Sequence, residues 1–182
     1  VIGDYALYNN AVLASVKLNK NGSTVGEGSF AYCAALSEVA NDQAITAIGD
    51  YAFAYTAIVK ADLSAAESIG QHAFIKEEMT EFAVTLGSAL NELGDNPFAM
   101  CDTGTFFLED TVTFNGTDYT FPNYNYAISD TVRVIEGSVY QSVPNGLELV
   151  IFAGDKDTVT VADSTSRIGA MAFAGSAVKQ IT

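Results

Sequence analysis

The sequence predicts an α/β repeat solenoid, in which short parallel strands alternate with short helical or 3-10 turns and one β-hairpin is inserted between rungs. Three observations point there. A six-residue pattern of apolar, glycine, polar, any, small and aromatic recurs as IGDYAL (2–7), VGEGSF (25–30), IGDYAF (48–53), IGQHAF (69–74), LGDNPF (93–98) and IGAMAF (168–173), with a degenerate copy, IEGSVY, at 135–140. A strand-like alternation stands in nearly constant register before each following glycine. The copies begin 23, 23, 21, 24, 42 and 33 residues apart, so four intervals are near one rung and two are too long.

Each rung starts with its strand. In LASVKL (13–18) Val16 and Leu18 share one face and Ser15 and Lys17 the other, which is the two-residue period of a strand. Val16 and Leu18 stand ten and eight residues before Gly26, as Val39 and Asn41 do before Gly49, Val84 and Leu86 before Gly94, and Val159 and Val161 before Gly169. Ala61 and Leu63 are one residue closer to Gly70. In the hexamer, the glycine permits a backbone conformation or a close approach that a Cβ would hinder. The polar residue after it (Asp4, Glu27, Asp50, Gln71, Asp95) is placed to cap a single helical turn, and the small residue and the aromatic face inward. One rung buries too little apolar surface to offset its own ordering. Stability therefore requires rungs to share their faces, with strands stacked in parallel about 4.8 Å apart.

Residues 103–130 fill most of the 42-residue interval. Within them VTF-NG-TDYTF sets Asn115-Gly116, a pair favoured in two-residue hairpin turns, between β-formers, which predicts a projecting hairpin. Seven aromatics crowd into 106–126: Phe106, Phe107, Phe114, Tyr119, Phe121, Tyr124 and Tyr126. Two roles fit them, anchoring the hairpin to the solenoid or gripping a protein or sugar surface, and the tyrosines of TFPNYNY are the best placed to stay exposed. In the second long interval Pro144-Asn145-Gly146 reads as a turn into a buried strand and AGDKD (153–157) as a turn out of it. The whole chain, 1–182, reads as a single domain. It opens at Val1 inside one copy and stops at Thr182 inside another, so a fragment of a longer chain is expected.

Composition excludes several functions. With 182 residues, 49% hydrophobic and 16% charged, the chain can build a real core. Eight Lys plus Arg against 22 Asp plus Glu give a net charge of −14, which opposes binding to nucleic acid or to an anionic membrane. The longest apolar runs, such as LELVIF (147–152), fall far short of the roughly 18 residues a membrane span needs. No membrane insertion of this segment is expected. His72 is the single histidine and takes the place that Tyr5, Gly28, Tyr51, Asn96 and Met171 hold in other copies, so it reads as a generic rung position. GxSxG, a phosphate-cradling glycine loop with lysine, and HExxH are all absent from the sequence. Asp4, Asp50 and Asp95 recur with the repeat, which suits capping and solubility better than a unique acid/base pair. Asp155 and Asp157 share a D-x-D spacing without the rest of a calcium loop, and the sequons at Asn21 and Asn115 read as turns. No catalytic residue, metal or cofactor is expected. What remains is a surface, and its candidate residues are Lys17, Glu38, Lys60, Asp62 and Glu81 on the outward strand face, with Tyr119, Tyr124 and Tyr126 of the insertion.

The hexamers with their surroundings, as in IGDYAFAYTAIVKADLSAAESIGQHAF (48–74) and VTVADSTSRIGAMAF (159–173), resemble the BspA-like leucine-rich repeats. The resemblance covers about residues 1–102 and 131–182, with departures at Leu7, Pro97 and the copy at 135. It implies a right-handed leucine-rich-repeat superhelix belonging to a bacterial surface or secreted protein, with a role in adhesion. The expected partners are host extracellular or cell-surface proteins, or glycans. Cys33 and Cys101 each follow the motif aromatic by three residues, where that family often carries Cys or Asn, and so look like buried ladder positions. Three rungs would part them by roughly 14 Å, beyond the ~7 Å limit of a disulfide, which predicts two free thiols. The leading expectation is a non-enzymatic extracellular protein-binding or adhesion module. A carbohydrate-binding accessory domain and a structural spacer are the alternatives.

Overall fold

The apolar residue that opens each hexamer closes a short strand, and these strands stack in register. The structure, a computed structural model, describes residues 1–78, 80–102, 112–114, 117–119, 126–127, 130–135, 138–152 and 157–182. The first rungs contain β1 (Ser15–Lys17) and β2 (Ser23–Val25), β3 (Glu38–Ala40) and β4 (Ile45–Ile48), β5 (Lys60–Leu63) and β6 (Ser68–Ile69). The next holds β7 (Thr80–Glu81), β8 (Ala83–Leu86) and β9 (Glu92–Leu93), followed by β10 (Cys101–Asp102). One parallel sheet runs β2-β4-β6-β9, with Val25 beside Ile48, Ile48 beside Ile69 and Ile69 beside Leu93; Ile2 bridges to Val25 at its edge. Successive hexamers thus form a column. A second column, made of the upstream strands, pairs β1 with β3, β5 with β8 and β7 with β10, all parallel.

The hexamers are turns and not the expected helical segments. Among the described residues the helical element is a 3-10 turn, Asp42–Ala44, outside the hexamers. The reason is a left-handed residue in the fourth motif position: Tyr5, Gly28, Tyr51, His72, Asn96 and Met171 all have φ between 24° and 57°. A helix cannot continue through such a residue. The even-numbered amides of the first copy close local turns, as Ala6 N–H to Gly3 O at 3.3 Å, while the odd ones reach the next rung, as Tyr5 N–H to Glu27 O at 2.7 Å and Leu7 N–H to Ser29 O at 2.8 Å. The same alternation recurs at Gly28, Phe30 and Tyr32, and at Tyr51, Phe53 and Tyr55. The turn side therefore carries its own ladder from rung to rung.

That ladder also corrects the expected role of the polar residue after the glycine. Asp4 Oδ1 accepts the backbone N–H of Glu27 at 2.9 Å and Asp50 Oδ1 that of Gln71 at 2.7 Å, so these carboxylates satisfy an amide of the following rung in place of capping their own turn. The glycine is required by close approach. A Cβ at Gly26, Gly49 or Gly94 would meet backbone of the preceding rung within 3.0 Å, whereas at Gly3 it would meet nothing within 4 Å. Inside, the motif aromatics stack: Phe30–Phe53, Phe53–Phe74 and Phe74–Phe98 have centroids 5.1 to 5.4 Å apart and planes within 16°. All four are at most 1% exposed.

Beyond β10 the topology changes. In the insertion, β11 (Val112–Phe114) and β12 (Thr117–Tyr119) pair antiparallel with Phe114 opposite Thr117, as a two-residue connection requires, and Asn115-Gly116 itself lies outside the described residues. Then β13 (Tyr126–Ala127), β14 (Val132–Ile135), β15 (Ser138–Val143) and β16 (Gly146–Ile151) form an antiparallel meander, the last two joined across Pro144-Asn145 as the sequence suggested. The degenerate copy at 135–140 is therefore no rung, since Ile135 pairs antiparallel with Ser138. After β17 (Thr158–Val159), β18 (Thr165–Ile168) lies parallel to β16, and β19 (Gln180–Ile181) parallel to β17. LELVIF takes the place of the missing rung. Leu149 pairs with Ile168, Gly169 N–H donates to Leu149 O and Phe152 N–H to Ala172 O, both at 2.8 Å, which repeats what Val25 and Phe30 do for the hexamer at 48. Phe152 also packs on Phe173, with centroids 4.9 Å apart.

Side chains join the two parts where the backbone ladder stops. Leu93 N–H donates to Gln141 Oε1 at 3.1 Å, and Gln141 Nε2 donates to Glu148 Oε2 at 3.2 Å. Arg167 binds the buried Glu148 at 3.1 Å and reaches Asp95 at 3.4 Å. Thr131 Oγ1 donates to Asn91 O, and Asn96 Nδ2 to Met171 O.

Candidate functional site

The outward strand face carries the residues expected of it. Ser15, Lys17, Glu38, Lys60 and Glu81 are exposed and Asp62 is half-buried. They do not form one broad sheet. Ser15 lies beside Glu38 and Lys17 beside Ala40 in one pair of strands, while Lys60 lies beside Ala83 and Asp62 beside Thr85 in another. The 3-10 turn at Asp42–Ala44 intervenes, and Asp42 Oδ2 accepts the Asp62 N–H at 2.8 Å. Where the ladder breaks, a water-sized cavity of about 10 Å³ lies between Val39, Asp42, Lys60 and Ala61. That is below the roughly 300–1,000 Å³ of a small-molecule site. Asp62 Oδ1 is itself engaged by Ser64 N–H at 3.1 Å. The backbones of Tyr119 and Tyr126 lie in β12 and β13, and Tyr124 and the side chains of all three lie outside the described residues.

The turn face presents something the sequence reading passed over. Tyr5, Tyr8, Tyr32 and Tyr51 are 53%, 49%, 43% and 37% exposed, and Tyr55 is partly buried beside them. Their rings touch across rungs. Tyr5–Tyr8 and Tyr8–Tyr32 meet edge-on at 6.0 and 5.6 Å, Tyr32 stacks on Tyr55 at 4.6 Å, and Tyr51 stacks on His72 at 5.4 Å. Tyr5 also lies over Gly28, where a Cβ would strike its ring. Carboxylates border the strip: the Tyr5 hydroxyl donates to Glu27, and Glu27 with the neighbouring Asp4 and Asp50 raises the Tyr5 pKa, the hydrogen bond most of all. Burial raises that of Tyr55, with Tyr32, Tyr51 and Glu77 adding to the effect. The signal in the sequence was the choice of tyrosine in the free fourth hexamer position (Tyr5, Tyr51) and again three or four residues after it (Tyr8, Tyr32, Tyr55).

The buried titratable groups serve the rungs. His72 stacks on Tyr51 and sets Nε2 2.9 Å from Met171 Sδ, and desolvation lowers its pKa against the opposing pull of Asp95 and Asp50. Lys76, 6% exposed, donates to Thr56 O and Ile58 O at 2.8 and 2.6 Å and lies 5.5 Å from the Phe82 ring centroid. Burial lowers it to about 8. Cys33 and Cys101 are free and buried, donating to Leu7 O and Phe74 O, and burial pushes the Cys101 thiol up to about 12. A thiol so held is a poor nucleophile at neutral pH. Among the described residues no cluster of three His, Cys, Asp or Glu side chains could hold a metal ion.

Short rungs stacked through a four-stranded parallel sheet and a turn ladder define a repeat solenoid. The chain belongs to the BspA-type leucine-rich repeat family, which matches residues 1–127 in six copies. Its fold is similar to that of a leucine-rich cell surface protein from Faecalibacterium prausnitzii, with a TM-score of 0.52 and 17% identity over 98% of this chain and 44% of that one. It is also similar to the pneumococcal vaccine antigen PcpA, with a TM-score of 0.50 and 12% identity over 88% of this chain and 42% of that one. The chain thus spans less than half the length of either structure. No curated protein matches it significantly.

Proposed function

We propose that this chain is a non-enzymatic, extracellular protein-binding or adhesion module of a bacterial surface protein. The observation that carries the reading is the strip of exposed tyrosines held on a rigid ladder, since aromatic side chains fixed in place contribute large contact area at little entropic cost. Family membership and the surface and antigen descriptions of the two similar structures support it. The inward engagement of His72, Lys76 and both cysteines agrees with a binding role in place of catalysis. The test is to immobilise the 182-residue chain and screen host matrix and cell-surface proteins in parallel with a glycan array. Saturable capture of a protein with a silent array supports the reading. Glycan binding alone transfers it to a carbohydrate-binding accessory domain, and silence in both leaves a structural spacer.

A further inference from the structure

We propose that the tyrosine strip is a docking surface for an arginine- and lysine-rich segment of a partner polypeptide, and this rests on the reading of the chain as a protein-binding module. Two independent features converge on it. The first is backbone conformation. Tyr5, Tyr32, Tyr51 and Tyr55 all occupy the left-handed region, with φ of 53°, 61°, 56° and 58°. Glycine or asparagine holds such places at least cost, as Asn9, Gly28, Asn96 and Gly175 do elsewhere on this same face. The ladder imposes this conformation on His72, Met100 and Met171 as well, so what singles out these four positions is a large aromatic kept where glycine or asparagine would cost less.

The second feature is charge. The turns at 3–10, 26–33, 49–56 and 70–77 contain Asp4, Glu27, Asp50 and Glu77 and a single basic residue, Lys76. The Lys76 ammonium is turned inward onto the carbonyls of Thr56 and Ile58, so it offsets nothing at the surface. A row of aromatic faces bordered by carboxylates complements cations, and guanidinium best, because it stacks on a ring while pairing with a carboxylate. Successive rungs repeat this offer about every 4.8 Å, so a segment with several basic residues meets more than one of them.

Titration with a nine-residue arginine peptide, a lysine peptide and a Gly/Ser peptide of equal length, by calorimetry at physiological salt, tests the proposal. The arginine peptide should bind most tightly and the Gly/Ser peptide not at all. In the double variant Tyr32→Gly/Tyr55→Gly the arginine affinity should fall about tenfold, with circular dichroism confirming that the variant is folded at the titration temperature, since glycine suits both backbone positions while the stacked rings are lost. An unchanged affinity in that variant would mean that net charge alone holds the peptide, and would overturn the inference. So would absence of binding, dependence on the tyrosines only in glycan binding, or a dimer of this chain that the double variant abolishes. Capture of a host protein that is insensitive to both tyrosines would sink this inference and leave the binding-module reading standing.

Discussion

Gly49→Ala and Gly3→Ala make the same chemical change at equivalent hexamer positions, and rung stacking requires opposite outcomes. At Gly49 an added Cβ would lie 2.6 Å from Glu27 N, 2.8 Å from Gly26 C and 3.0 Å from Glu27 Cα. Restoring ordinary contact asks for about 0.8 Å of separation between the rungs. The ladder there is held by Gly49 N–H to Val25 O and Gly28 N–H to Asp50 O, both 2.8 Å, and such a shift carries both past hydrogen-bond range. Two lost bonds at roughly 1 kcal/mol each, with overpacking of roughly 1–3 kcal/mol, outweigh the roughly 0.4–1 kcal/mol gained by restricting the unfolded chain. The net expectation is a loss of about 2–4 kcal/mol. Gly3→Ala meets nothing within 4 Å in this chain, so only the gain remains and stability should hold or rise slightly. Urea unfolding followed by far-ultraviolet circular dichroism reads both as midpoint shifts at constant slope. Equal midpoints for the two variants would refute the claim that close approach, repeated rung by rung, is what the glycine column serves.

Two further predictions concern the polar groups inside. Because burial holds Lys76 near 8, between pH 8 and the ordinary lysine range the unfolded chain keeps a proton that the folded chain has released. Unfolding then takes up a proton, and raising the pH stabilises the fold. The stability of the parent relative to Lys76→Met should grow by about 2 kcal/mol from pH 8 to 10. Cys101, whose thiol burial pushes up to about 12, acts the other way above pH 9, and because the Lys76 charge lowers that value the comparison is made in a Cys101→Ala background. Parallel pH profiles would show that the ammonium is not desolvated. Gln141→Leu should leave Leu93 N–H without its acceptor and Glu148 without one donor, at a cost of about 1–3 kcal/mol in chemical denaturation. A neutral result would mean that the meander is not tied to the last regular rung through this amide.

Much of the architecture was legible in the chain because a repeat is a local signal. The apolar residue, glycine and aromatic of each hexamer each serve one interface with the next copy, so the pattern in residues 2–98 could be read as Val25, Ile48, Ile69 and Leu93 in one column and Phe30, Phe53, Phe74 and Phe98 in another. The exposure of Lys17, Glu38, Lys60 and Glu81 followed from strand alternation alone. The helical reading of the turns failed because nothing in a single copy announces that Tyr5, Tyr51 or His72 must adopt positive φ. That conformation is imposed by the neighbouring rung, which takes up every second amide.

The sequence by itself determined the rung, its length, its glycine and its inward aromatic, because these depend on contacts that recur at one spacing. Only the tertiary structure decided that LELVIF and not IEGSVY replaces a rung, that Asp4 and Asp50 serve the next turn, and that Tyr5, Tyr8, Tyr32 and Tyr55 meet in one strip. Those outcomes depend on which residues the winding brings together across 20 or more positions of chain, and no local pattern encodes that distance.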